Sequence, residues 1–455
     1  MKYISLATII LSSALLATSE VNTLAEVFNE ASVSGNVKYY YIQTDKDKSA
    51  QNAASTSAYA NSIGGQLSFD TASLYGFRSG VTFMTTNPFL LAANVDASLI
   101  ARDNGVRAGD GVSGNIARDG FSVLGEAYLA YDYKNMGIYL GREVIRTPLI
   151  NAKEVRLLPS AVEGVSLYYN FGKTTKFDLA YYSAFKQRTS SVFVNIIKHA
   201  LGDLTKTITG SNAGYVGMFG LKHAADNYSL KLYDYYASDF MNSLYLSGKY
   251  IMNLKEAKVT LAAQYINQKS IGNADTYLSK NSSAAGGVIS SNAIALKVSA
   301  ILNSSKFLIA YSKVLKDDSK HDSLVLPWDG TPLFTNMITS NNLFQSNYGK
   351  ALNADSVYIG GSEGIKLLYN QKYDSLGLKG FSTTLSYLNT AFDKIGFDKL
   401  QEDYNFVLQY KAPEAFTLQL KGIWVKYDTS ALADGSLNAQ VKLLTQYRVI
   451  ANYKF

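Results

Sequence analysis

The residues able to do chemistry in this chain favour electrostatics over bond-making. There is no cysteine, and the three histidines are His199, His223 and His321. His199 and His321 fall in connections, and no Gly-x-Ser-x-Gly frames a nucleophile. Catalysis that pairs a hydroxyl or thiol with an imidazole has nothing to build on, so an enzyme is not expected. No metal-ligand cluster, phosphate-binding loop or nucleic-acid motif stands out. Asp317-Asp318 would suit a loop-bound Ca²⁺, but two adjacent acids do not define such a site, and no cofactor is expected. What remains is cations. Lys and Arg total 43 against 36 Asp and Glu, a net charge of +7. Many fall on the polar side of alternating stretches, namely Lys38, Arg78, Lys231, Lys249, Lys297, Lys366, Lys421, Lys442 and Arg448. Glu126 joins them, whereas most acids, such as Asp45, Asp47, Asp317, Asp318, Glu402 and Asp403, read as loop or turn residues. A wall with excess positive charge attracts carboxylates and other anions and raises their local concentration.

Such a wall needs strands to hold it. Residues 441–455 set the pattern, with Val441, Leu443, Tyr447, Val449, Tyr453 and Phe455 on one face and Lys442, Gln446, Arg448, Asn452 and Lys454 on the other. Period-two alternation of this length can cross a tilted bilayer, and soluble strands are usually shorter. The same alternation predicts strands near 33–44, 60–70, 74–84, 120–133, 136–142, 163–171, 176–184, 214–224, 227–237, 243–252, 256–268, 289–301, 305–313, 357–370, 379–391, 403–411, 415–427 and 439–455. That is about eighteen, an even number as in bacterial single-chain barrels. Connections alternate between short turns, such as 134–135 and 303–304, and long polar segments, such as 85–119, 143–162 and 314–356. Short periplasmic turns and long external loops give a transmembrane barrel this parity. A charge facing lipid at midplane costs about 2–4 kcal/mol, so the polar faces belong inside. A core of Lys, Gln and Thr is untenable in a closed soluble barrel and natural in a water-filled one. The expected fold is an all-β transmembrane antiparallel barrel.

The amino terminus fits export. Lys2 precedes an apolar run, and Thr23-Leu24-Ala25 carries small residues at a cleavage site, so residues 1–25 read as a secretory signal and 26–455 as one barrel domain. Six prolines against 34 tyrosines suit strands and membrane interfaces. The mean hydropathy is near zero because outward apolar residues alternate with inward polar ones. The expected location is the outer membrane of a Gram-negative bacterium.

One segment carries a resemblance. Gly141-Arg142-Glu143, then Thr147-Pro148-Leu149-Ile150-Asn151, then Arg156-Leu157-Leu158-Pro159 and Glu163-Gly164 keep the order and spacing of motifs in the OprD-like outer-membrane porins, with Glu143, Glu154 and Val162 departing from the family pattern. The strand Leu124-Gly125-Glu126-Ala127-Tyr128 also looks like that family, and the ending Tyr453-Lys454-Phe455 resembles the major porins of epsilonproteobacteria. The resemblance implies an eighteen-stranded barrel whose 143–162 loop folds inward as a constriction. It implies Arg142, Arg146 and Arg156 as pore residues guiding carboxylates, with Glu154 among the loop carboxylates. Arg78, Glu126, Lys421, Lys442 and Arg448 would line the wall. By strand parity Arg142 points outward, so it belongs at the rim or beyond a bulge. The function expected is passive diffusion of small hydrophilic solutes, leaning to anionic or carboxylate-bearing ones. The alternative is a structural or adhesive barrel whose surface loops bind a partner. Outer-membrane lipid is an expected partner, nucleic acid is not, and monomer and homotrimer remain open because an outward apolar face serves lipid and subunit contacts alike.

Overall fold

The structure, a computed structural model, describes residues 20–47, 56–89, 120–152, 156–281, 287–338, 357–394, 397–429 and 440–455. Eighteen strands form its wall. They are β1 (Ser32–Asp47), β2 (Thr56–Asp70), β3 (Phe77–Pro88), β4 (Phe121–Tyr133), β5 (Met136–Glu143) and β6 (Ala161–Phe171). Next come β7 (Thr175–Lys186), β8 (Val216–Ala224), β9 (Tyr228–Ala237), β10 (Met241–Asn253), β11 (Ala257–Ser270) and β12 (Ser290–Leu302). The last six are β13 (Ser305–Val314), β14 (Ser362–Lys372), β15 (Phe381–Lys394), β16 (Phe397–Lys411), β17 (Phe416–Thr429) and β18 (Gln440–Lys454). Each pairs antiparallel with the next, and β18 closes on β1 from Asn36↔Lys454 to Asp47↔Leu443. Closure removes every sheet edge, as a strand in hydrocarbon requires. At the seam Gly35 and Phe455 exchange backbone hydrogen bonds of 3.0 and 3.1 Å. A Cβ on Gly35 would stand 2.8 Å from the Phe455 ring, so glycine is what lets the terminal aromatic lie against β1.

The alternation read in the sequence becomes two surfaces. On β12 Ile294 and Leu296 are exposed, whereas Ala293 and Ala295, which alternate with them, are fully buried. Outward rings gather near the strand ends, as in Phe77–Tyr131 and Phe381–Tyr410 (4.6 Å each) at the short-turn side and Tyr181–Tyr215 (4.9 Å) at the other. These are the aromatic girdles of a membrane-spanning barrel. The short turns use left-handed backbone where two residues must reverse the chain, at Lys134 (φ 52°) and Asn303 (φ 48°).

Three expectations about the elements are corrected. The strand expected at 74–84 runs from Phe77 to Pro88, because Tyr75 and Gly76 turn the chain with left-handed backbone (φ 52° and 84°) and Leu74 packs beside helix α1 (Leu24–Asn29) instead of entering the wall. The strand expected from 357 starts at Ser362, since Val357, Tyr358 and Ile359 are buried with the inward-folded connections. Asp45, Asp47, Glu402 and Asp403, read as loop or turn acids, lie within β1 and β16, whose ladders run further than the alternation suggested, and Asp403 is buried on the inward face of β16.

The inside is partly filled. Leu149, Ile150, Ile197, Leu324, Leu326 and Trp328, all from long connections, form one apolar cluster with the inward Met218, Tyr233, Tyr235 and Ala293 of the wall. The helices α2 (Ile196–Leu201) and α3 (Thr205–Thr209) belong to one of these connections, and α4 (Gly272–Lys280) to another.

Candidate solute pathway

The connection after β5 crosses the barrel. At its start the Val144 amide donates to Glu126 Oε1 on β4 (2.9 Å), while Thr82 donates to Glu126 Oε2 (2.8 Å). Glu126 therefore anchors a loop as well as lining the wall. Residues 145–152 then form a small hairpin, in which Arg146 bridges Asn151 and Thr147 donates to the Ile150 carbonyl (2.7 Å) around Pro148. The fixed φ of proline suits this tight reversal. Four strands round the wall from β5 the Leu149 amide meets the Tyr235 hydroxyl of β9 (3.3 Å). The chain returns to place Leu157 and Leu158 against Tyr40, Ile42, Ala60 and Met84 of β1–β3. Lys38 Nζ donates to the Leu157 carbonyl (3.0 Å).

Two other connections hold this one. Asn151 donates its amide to the Trp328 carbonyl (3.0 Å), and Ile150 bridges Asp329. Any Cβ on Gly330 would meet the Leu149 backbone at 2.5 to 2.8 Å, so the close approach needs glycine. The Asp329 carboxylate, almost fully buried, takes Arg188 on one oxygen and Ser160 on the other. Buried Lys186 donates to the carbonyls of Pro159, Gln187 and Ser190 at 3.1 to 3.3 Å. Reasoning from the sequence missed Arg188, Lys186, Ser160 and Asp329. Their partners lie as far as 169 residues away in the chain, and no local pattern marks them.

The expected pore residues separate into distinct places. Arg146 lines a cavity of about 530 Å³ together with Lys222, Lys231, Lys249 and Lys297. Tyr233, Tyr245 and Phe334 complete it, with the Lys297 ammonium 4.2 Å from the Phe334 ring centre. Arg156 sits on the opposite side, hydrogen-bonded to Tyr40 and beside Arg448. Arg448 donates to Gln446 (2.7 Å) and to the Tyr40 hydroxyl (3.3 Å), and Lys421 faces it across the β17–β18 ladder. Burial first, and the Arg448 charge second, push the Arg156 guanidinium down to about 9, which leaves it protonated at neutral pH. Arg142, expected as a pore residue, lies instead on the outward face, where the parity of its strand directs it. There it pairs with Glu163 (2.7 Å) and stacks 4.3 Å from the Phe193 ring centre. Arg78 points inward but is consumed, with Asp132 at 2.7 Å, the Tyr128 hydroxyl at 3.0 Å and Tyr139 as a third partner. Lys442 has the inward parity of Arg448 on β18, but its side chain lies outside the described residues, as does all of Glu154.

Register shows how uneven the inner wall is. From β8 to β14 the inward positions carry Lys222, Lys231, Lys249, Lys258, Lys297, Lys306, Lys366 and Lys372, and no Asp or Glu among the described residues. From β2 to β7 they carry Asp70, Glu126, Asp132, Glu143 and Asp178 as well as Arg78 and Lys176. Asp178 serves Lys176 (3.3 Å) and reaches across to Lys222 (2.8 Å). Among the described residues no three His, Cys, Asp or Glu side chains converge on a metal site. Asp317 accepts from the Ser319 amide (3.1 Å), and Asp318 pairs with Lys316 (3.4 Å).

Comparison with known proteins agrees with this geometry. The barrel superimposes on Pseudomonas aeruginosa OccK9 (OpdG) with a TM-score of 0.74 at 16% identity, covering 94% of this chain and 99% of that one. Acinetobacter baumannii OccAB1 matches with a TM-score of 0.69 at 15% identity over 93% and 96% of the two chains. Pseudomonas aeruginosa OccK2 (OpdF), solved in complex with glucuronate, matches with a TM-score of 0.66 at 13% identity over 94% and 99%. No curated protein matches the sequence. The family described as outer membrane porin, OprD family, matches residues 25–455. The chain therefore belongs to the OprD family of Gram-negative outer-membrane porins.

Proposed function

We propose that this porin is a passive diffusion channel for small hydrophilic anions, carboxylates foremost, and that it transports them without chemical change. The observation that carries this reading is the run of inward lysines on β8–β14 with no carboxylate between them, facing the cavity that Arg146 completes. Fixed cations in a narrow aqueous lumen concentrate anions, and an Arg fork suits a carboxylate. The inward-folded 143–162 connection narrows the passage, so solutes meet Arg146 on one side and Arg156 and Lys421, backed by the buried Arg448, on the other. OccK2 with glucuronate, a carboxylate, supports the class of solute by likeness of fold. Residues 1–25 act as a cleaved export signal in this reading.

The test is the reversal potential of the purified mature protein in a planar bilayer under a KCl gradient. Discrete steps with chloride carrying most of the current are expected, with the bias reduced in Arg156→Ala and Lys421→Ala. Cation selectivity would overturn the anion reading. Folded protein without steps would point instead to a structural or adhesive barrel.

A further inference from the structure

We infer that the preferred solutes carry at least two negative charges, as di- and tricarboxylates or phosphate esters do. This rests on the anion-channel reading above. The ladder pairs Lys249 with Ala262 and Ala262 with Lys297, then Lys297 with Ala310 and Ala310 with Lys366. These three lysines thus occupy every second strand on one level, with backbones about 10 Å apart at each step. Lys231 lies diagonally next to Lys249, about 7–8 Å away, because Lys249 opposes Ser229. The arc is tethered from above by one connection. Phe334 covers the Lys297 ammonium, and Lys366 Nζ donates to the Asn336 carbonyl (2.6 Å).

No ion pair among the described residues engages Lys231, Lys249 or Lys297. A monoanion can neutralise one of them and leaves its neighbours repelling one another. The spacing is close to the screening length of about 8 Å at physiological salt, so each lysine also acts as a nearly separate anchor. A solute whose two charges lie several ångströms apart engages two anchors at once, and the second contact forms without a further loss of translational freedom. The Asp178-paired Lys222 at the edge of the arc marks where the acid-free surface ends.

The experiment compares half-blocking concentrations of chloride current for citrate, glucose 6-phosphate and gluconate in planar bilayers. Citrate and glucose 6-phosphate are expected to block at about tenfold lower concentration than gluconate, as one or two extra exposed ion pairs would give. The Lys249→Gln/Lys297→Gln double variant, with its folded state verified by heat-modifiable migration, should shrink that ratio to about twofold. Equal block by all three in an anion-selective wild type would overturn this inference and leave the channel reading standing. A tenfold ratio that survives the double variant would also overturn it. Loss of anion selectivity in the wild type would instead sink the reading on which it rests.

Discussion

Two arcs of the same inner wall, built from the same alternation, carry opposite chemistry. On β2–β7 the cations are matched within the wall. Arg78 has Asp132, Tyr128 and Tyr139, and Tyr128 in turn donates to Asp70 (2.6 Å). Lys176 lies over the Tyr168 ring (4.6 Å) and beside Asp178. On β8–β14 the inward positions carry no acid among the described residues; Lys222 at the edge reaches Asp178 of β7, while Lys297 and Lys366 are tethered by a ring and a carbonyl. A basic residue on the polar face of a strand is thus either structural or available, and its cross-strand neighbours decide which. Paired cations hold strands together, whereas an unpaired arc raises the local potential at some expense in mutual repulsion.

The sharpest way to break the comparison is to loosen what keeps the arcs at a fixed distance. Arg188→Ala would strand the Asp329 carboxylate, which is 1% exposed and joins three connections. Removing one partner of a buried pair costs about 3–5 kcal/mol. The expected result is a noisier, larger conductance with weaker anion bias, read from single-channel records, while the barrel keeps its strand content by circular dichroism. Conductance unchanged from the wild type would mean the connections are held without this pin.

The arcs can then be set against each other. Arg78→Ala leaves one oxygen of Asp132 and two hydroxyls without the arginine donor and should lower stability by about 1–3 kcal/mol in denaturant unfolding, with little change in reversal potential. Lys297→Gln should do the converse. It loses one cation–ring contact, about 0.5–1 kcal/mol, and measurably reduces chloride preference. The same balance of effects for both variants would erase the distinction between the arcs.

The smallest effect is ionic. In 1 M KCl the screening length falls to about 3 Å, well below the spacing of the lysine arc, so anion preference should shrink between 0.1 and 1 M. Selectivity indifferent to salt would place the filter at a closely packed group such as Arg156 and Arg448.

Much of this was legible in one dimension. Every barrel strand coincides with a predicted alternating stretch, and the inward parity of Arg78, Lys421 and Arg448 follows from counting by two. Parity also placed Arg142 on the outside, where it is found. It lapses at bulges, as between Thr82 and Phe83 opposite β4, where the ladder shifts by one and Gly125 fits against Met84. Boundaries slipped where the chain leaves the wall, at Ser73–Leu74 and at Val357, because apolar residues that pack under a connection look like strand residues.

The sequence by itself therefore determined the barrel, its two faces, its loop parity and the list of cations that could line a pore, because each depends on neighbours two residues apart. Only the tertiary structure decided which of those cations are spoken for. Register sets Asp178 beside Lys222 and gives Lys249 and Lys297 no acid among the described residues, and inward folding brings Ser160, Arg188 and Asp329 together from three connections. Those juxtapositions depend on closure of the whole ring and on packing inside it, over separations at which a linear pattern carries no signal.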